Sequence, residues 1–210
     1  MSTVEAPAAT RGRGRPRTFD EEAVLDTLTS LFWAQGYGST SVADIAEAAQ
    51  LNKSSLYNAF GSKQELFNRI LDRYISARTE MLGGLIAQTG SGIGALHAFL
   101  EMVRSETTLE MGHCGCLAVN TSAELGGESP EMVAFAERYR DRITDALRSM
   151  IQRVADAGDV DAGQVENHTN MLMMVIMGIS LTARSGAGAA EIGRLVDAAH
   201  ANVDTWFTGG

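Results

Sequence analysis

The sequence predicts an all-α protein of about nine helices, and three observations carry that expectation. Proline is nearly absent: Pro7 and Pro16 lie close to the start and Pro130 is the next, so nothing interrupts helices between residues 18 and 129. Apolar residues recur at three- and four-residue spacings through most of the chain. No stretch shows the two-residue alternation of a half-buried strand.

The elements follow in order. Val24, Leu25, Leu28, Leu31 and Phe32 make the stripe of a first helix whose acidic start (Asp20, Glu21, Glu22) suits the positive end of its dipole and which Gly36 ends. Ser41 is an N-cap for a short second helix carrying Val42, Ile45, Ala46 and Ala49. Asn52 caps a third, Lys53–Ala59, with Leu56 and Phe60 turned inward and Gly61 closing it. Ser62 and Glu65 form a capping box for a fourth helix running past Met81, striped by Leu66, Ile70, Tyr74 and by Phe67, Leu71, Ile75. Further helices are expected at 92–108, 115–125, 130–157 with Pro130 in its first turn, 163–184 and 189–207. Gly83-Gly84, Gly126-Gly127 and 185–188 read as loops.

Composition narrows the function classes. With 210 residues, 45% hydrophobic and 20% charged, the chain can bury a sizeable core. The longest strongly apolar run, Met171–Ala183, falls short of the ~20 residues of a membrane span, so no membrane partner is expected. The first ten residues lack an apolar signal core, and two cysteines only two positions apart are no export framework, which points to a cytoplasmic protein. Residues 1–78 hold 9 Lys and Arg against 9 Asp and Glu, leaving 8 against 17 for the rest, so the net charge of -9 sits wholly in the C-terminal part. A polyanion responds to the local field of the face it meets, which leaves nucleic-acid binding open to the N-terminal part.

The second and third helices, joined by Ala49-Gln50-Leu51-Asn52, form a helix-turn-helix candidate with small and aliphatic residues inside and short polar ones outside. Together with Gly36-Tyr37-Gly38-Ser39-Thr40 and Leu56-Tyr57-Asn58-Ala59-Phe60-Gly61-Ser62-Lys63-Gln64-Glu65-Leu66, residues 18–75 resemble the TetR family of bacterial transcription regulators. The resemblance implies a homodimer that binds a double-stranded DNA operator with an inverted repeat, acts as a repressor and is released by a small-molecule effector of unknown identity. Its divisions would be a basic arm (1–18), a helix-turn-helix domain (19–66) and a ligand-binding and dimerisation domain (67–210). Carried over by position, Thr40 and Ser41 would meet phosphate, Lys53, Ser54, Ser55 and Asn58 would face bases, and Tyr57 and Lys63 would hold the backbone. Arg11, Arg13, Arg15 and Arg17 alternate with glycine and proline, and that slim chain suits either a narrow A·T-rich minor groove or a loose polycation.

In the C-terminal part, Asn167–Leu181 is apolar on nearly every side, which suggests a helix packed on its own domain and on a second subunit. Met173, Ile176, Met177, Leu195, Val196, Ala199 and Val203 are the expected dimer contact. Polar or soft residues on apolar helices, His97, Cys116, Asn120, Glu124, His168, Asn170 and Met174, are candidates to line an effector pocket. Cys114 and Cys116 point about 200° apart on a helix and would not bridge. His113 adds one possible ligand without a second cluster, so no metal is expected. Cys116 near a helix start could instead be a reactive thiol, giving an oxidant- or electrophile-sensing regulator as the alternative, with an architectural DNA binder as a third reading. Gly90-x-Gly92-x-Gly94 follows a helix rather than a strand, no nucleophile elbow or Walker loop occurs, and the histidines are scattered, so neither enzyme nor cofactor is expected.

Overall fold

Capping chemistry sets the first four helices. The Asp20 carboxylate accepts the Glu22 and Ala23 amides to start α1 (Glu21–Gln35), and Gly36, at φ +82°, ends it. Ser41 and Asp44 close a reciprocal capping box on α2 (Val42–Ala48), and Asn52 accepts the Ser55 amide at the start of α3 (Lys53–Phe60). Ser62 and Glu65 do the same for α4 (Lys63–Thr89). The remaining helices are α5 (Gly94–Thr108), α6 (Leu117–Leu125), α7 (Pro130–Asp156), α8 (Val165–Arg184), which follows a 3-10 turn at Ala162–Gln164, and α9 (Ala189–Asp204).

These elements come from a computed structural model that describes residues 19–89, 92–108, 114–125, 127 and 130–207. Among the described residues there are nine α-helices and no strand beyond one isolated bridge, Val160 to Phe207. No helix among them is long and apolar enough to cross a membrane. The arm with Arg13, Arg15 and Arg17, and also His113, lie outside the described residues.

Two sequence expectations need correction here. Gly83-Gly84 does not form a loop but lies inside α4, where burial of the adjoining Leu82 offsets the roughly 2 kcal/mol that two helical glycines cost. The sixth helix begins at Leu117 rather than 115: Gly115 sits at φ +68° with no room for a side chain, since a Cβ there would run into the Ser180 carbonyl oxygen.

One apolar core runs through both ends of the chain. Phe32 on α1 meets Phe67 on α4 with ring centroids 4.8 Å apart, and Leu66, Ile70 and Leu71 are fully buried beside them. The same helix continues into the bundle formed with α5 to α9, where α7 packs along α8 and α5 along α9. The expected domain boundary at 66/67 thus falls inside α4.

His168 stacks on Trp206 at 3.9 Å between centroids, and its partial burial holds the imidazole below its ordinary range despite the pull of Asp161. A base whose pKa is lower folded than unfolded binds more protons unfolded, so stability falls as pH drops through the unfolded value of about 6.5 toward the folded one. We expect the loss of melting temperature between about pH 7.5 and about pH 5.5 to be smaller in His168→Phe than in the parent, measured by calorimetry; equal losses would contradict this.

Candidate nucleic-acid interface and bundle cavity

The outward face of α3 carries the short polar residues expected of a reading helix. Lys53, Ser54, Tyr57 and Asn58 are exposed and Ser55 is half-buried, while Leu56 and Phe60 anchor the opposite face in the core. The turn before α3 is tight: the Leu51 amide donates to the Ala46 carbonyl, and Gln50 adopts φ +52°. Arg69 pairs with Glu21, and Arg73 with Glu22 and Asp26, so these guanidiniums are neutralised within the head. Lys53 remains as an exposed cation on the reading face.

Two residues expected at the phosphate backbone are instead spent on the α1–α2 connection. Thr40 is fully buried and its hydroxyl donates to the Gly36 carbonyl at 2.7 Å. Lys63 turns inward: its ammonium donates to the Tyr37 carbonyl at 2.6 Å and lies 4.1 Å above the Tyr37 ring. Burial draws its pKa down, while the carboxylates of Glu124 and Asp44 draw it up. Ser41 keeps an exposed position as the cap of α2.

Glu124 was expected in the effector pocket and lies outside it. From the last turn of α6 its carboxylate accepts the amides of Tyr37 at 3.1 Å and Gly38 at 2.7 Å, gripping the connection from the other side. The absence of a side chain at residue 36 permits this, since a Cβ there would stand 2.7 Å from Glu124 Oε2.

The bundle holds a cavity of about 390 Å³ between α1, α4, α5, α7, α8 and the Gly115-Cys116 segment. Its walls are mostly apolar, from Leu82, Phe99, Val103, Ile143 and Ile176. Polar groups interrupt them, among them Tyr74, Arg78, Glu106, Cys116, Tyr139 and Ser180. Tyr74 donates its hydroxyl to Cys116 Sγ at 3.5 Å, Tyr139 Oη lies 3.1 Å from the same sulfur, and Arg78 pairs with Glu106. Burial, with the Cys116 thiol adjoining, pushes both phenols well above their usual pKa, so both stay protonated. The Trp33 indole forms part of the wall and donates to the Gly115 carbonyl at 2.8 Å, tying α1 to the segment that carries Cys116.

Of the residues expected to line a pocket, the cavity contains Cys116 alone, and this residue precedes α6, its carbonyl accepting the Asn120 amide, rather than lying within the first turn. Asn120 folds back to donate to the Cys114 carbonyl. His97 lies between α5 and α9, its Nδ1 2.7 Å from that of His200, and His168 is stacked on Trp206. Asn170 is exposed, and Met174 is 61% exposed, because both sit on the side of α8 turned away from the bundle. The expected dimer contact also divides. Met177 and Leu195 are exposed, but Met173, Val196, Ala199 and Val203 are buried inside the chain and Ile176 lines the cavity. Tyr74, Arg78, Glu106 and Tyr139 were missed because each falls on a helix stripe that reads as core; an Arg and a Glu on otherwise apolar faces of neighbouring helices were the available signal.

Comparison with known proteins matches these features. Residues 24–70, spanning α1 to the first two turns of α4, fit the family model described as "Bacterial regulatory proteins, tetR family". Over 196 residues, covering 91% of this chain and 92% of the relative, the sequence is 30% identical to the HTH-type transcriptional repressor ComR of Escherichia coli (strain K12). It is 25% identical over 179 residues to the repressor BdcR of the same organism, covering 85% of this chain and 86% of that one. Among solved structures, a cysteine mutant of the TetR family regulator CifR, complexed with 26 bp double-strand operator DNA, superposes with a TM-score of 0.78 at 27% identity, over 91% of this chain and all of that one. With a braced helix-turn-helix, a helical bundle behind it and likeness along nearly its whole length, this chain belongs to the TetR family of bacterial regulatory proteins.

Proposed function

We propose that this protein is a transcriptional repressor that binds an inverted-repeat operator as a homodimer and releases it when a small, largely apolar molecule occupies the bundle cavity. The observation that carries this reading is the sharing of α1 and α4 between the reading head and the cavity: Trp33, Tyr74 and Arg78 line it, while Phe32 and Phe67 on the same helices hold the head together. The names of ComR and BdcR as repressors, and the operator bound to CifR, support it. The alternating arginines of residues 11–17 supplement a reading face on which Lys53 is the exposed cation.

Dimerisation rests on α8, where Met171, Met174, Met177 and Leu181 form an exposed stripe at three- and four-residue spacing and Leu195 on α9 adds to it. Two copies would then present their α3 helices about one or two DNA turns apart. Replacing Met174 and Leu181 together with Glu should convert the dimer to a monomer in sedimentation and abolish full-length operator binding; an intact dimer would contradict this assignment.

The reading face is tested by two substitutions on operator DNA selected from random sequence. Asn58→Ala should lose about 1–3 kcal/mol of discrimination at one base pair, whereas Tyr57→Phe should weaken specific and scrambled DNA alike. Equal losses on both DNAs for Asn58→Ala would remove it from base reading.

Cys116 supports a second reading, in which the effector is an electrophile or oxidant, because its sulfur faces the cavity between two phenols while Cys114 is buried. In such a step the thiol adds to an electron-poor carbon–carbon double bond, an S–C bond forms and the thiol proton ends on the neighbouring carbon. N-ethylmaleimide should therefore label Cys116 before Cys114, as mass spectrometry resolves, and labelled protein should bind operator more weakly. Undiminished affinity after complete labelling of Cys116 would discard this reading.

A further inference from the structure

Helix α6 has one end at the cavity and the other on the reading head. Cys116, whose sulfur lines the cavity, accepts the first hydrogen bond of α6 through its carbonyl, and Glu124 lies in the last turn, about 12 Å along the axis. Between them Leu117, Ala118, Val119 and Thr121 are buried, so the helix has no slack within the bundle and moves as a body. At the far end the Glu124 carboxylate takes two successive amides of the α1–α2 connection, and Lys63 takes the carbonyl of the same Tyr37. That connection leads directly through Thr40 and Ser41 into α2, which fixes the angle of α3.

We infer that Glu124 is the positioning residue through which the state of the cavity sets the orientation of the reading helix. The inference rests on the proposal that the cavity is the effector site. A group entering beside Cys116 pushes the start of α6, the carboxylate withdraws from the Tyr37 and Gly38 amides, and the side-chain hydrogen bonds left on the α1–α2 connection are those of Lys63 and Thr40. Two charge-assisted bonds to adjacent amides make the grip directional, so a displacement on the order of 1 Å breaks it. Glu124 itself is exposed, and its removal leaves the core of α6 intact.

Linkage supplies the test. If the cavity and the reading head are coupled, operator must bias the same two arrangements that cavity occupation biases, and the reactivity of Cys116 reports which arrangement is held. With Cys114→Ala as the parent, the rate of Cys116 alkylation by N-ethylmaleimide is measured by mass spectrometry, free and with saturating operator duplex. No residue of α3 lines the cavity, so DNA does not shield the thiol directly. The parent should alkylate at least about fivefold more slowly on operator. In Glu124→Ala the ratio should fall toward one with a cooperative thermal transition retained, and Glu124→Gln, which keeps one acceptor, should lie between. A parent that shows the operator effect and a Glu124→Ala variant that retains it would overturn the role of Glu124. A parent with no operator effect would overturn the cavity reading itself and the inference with it.

Discussion

Everything in this molecule depends on α4 being buried twice. Its N-terminal half packs Leu66, Phe67, Ile70 and Leu71 against α1 and the helix-turn-helix, and its next turns present Tyr74 and Arg78 to the cavity. Each of those four apolar side chains contributes about 1.5–3 kcal/mol by leaving water, so the reading head has no separate core that could let it swing freely. A helix fixed at both ends by close packing transmits displacement rather than absorbing it. With 27 residues, α4 is long enough to belong to both the reading head and the cavity wall.

Within that apolar continuity, the α1–α2 connection is anchored by the Tyr37 ring on Phe67 and Phe32, and its backbone is held by polar contacts. Lys63, Thr40 and Glu124 each take one or two backbone groups between Gly36 and Gly38. A second tie comes from the bundle, where Arg184 on α8 donates to the Trp33 carbonyl at 3.1 Å and the Trp33 indole reaches Gly115. Such contacts are individually modest in free energy and are lost one at a time, as the proposed release of the joint requires.

How much of this was legible in the sequence follows from which forces are local. Helix ends set by Asp20, Ser41, Asn52 and the Ser62–Glu65 box were readable because a cap acts within three residues of itself. The exposed face of α3 was readable from periodicity. Pocket lining was not: His97, Asn120, His168 and Asn170 are polar on apolar helices, as a pocket residue would be, but each finds a partner or solvent that depends on how distant helices cross. Glu124 and Lys63 failed in the same way, since their partners are backbone groups 86 and 26 residues away. On α9, the stripe of Val196, Ala199 and Val203 was legible as apolar, but the sequence alone does not say whether a stripe meets α5 or a second subunit.

The claim that the bundle controls the reading head through the α1–α2 connection is tested most directly by hydrogen exchange at the Tyr37 and Gly38 amides, read in the peptide covering residues 33–41. Exchange should be slow in the operator complex, faster in the free protein and fastest after alkylation of Cys116, as the Glu124 carboxylate leaves those amides. Exchange at these two amides that is the same before and after alkylation would contradict it.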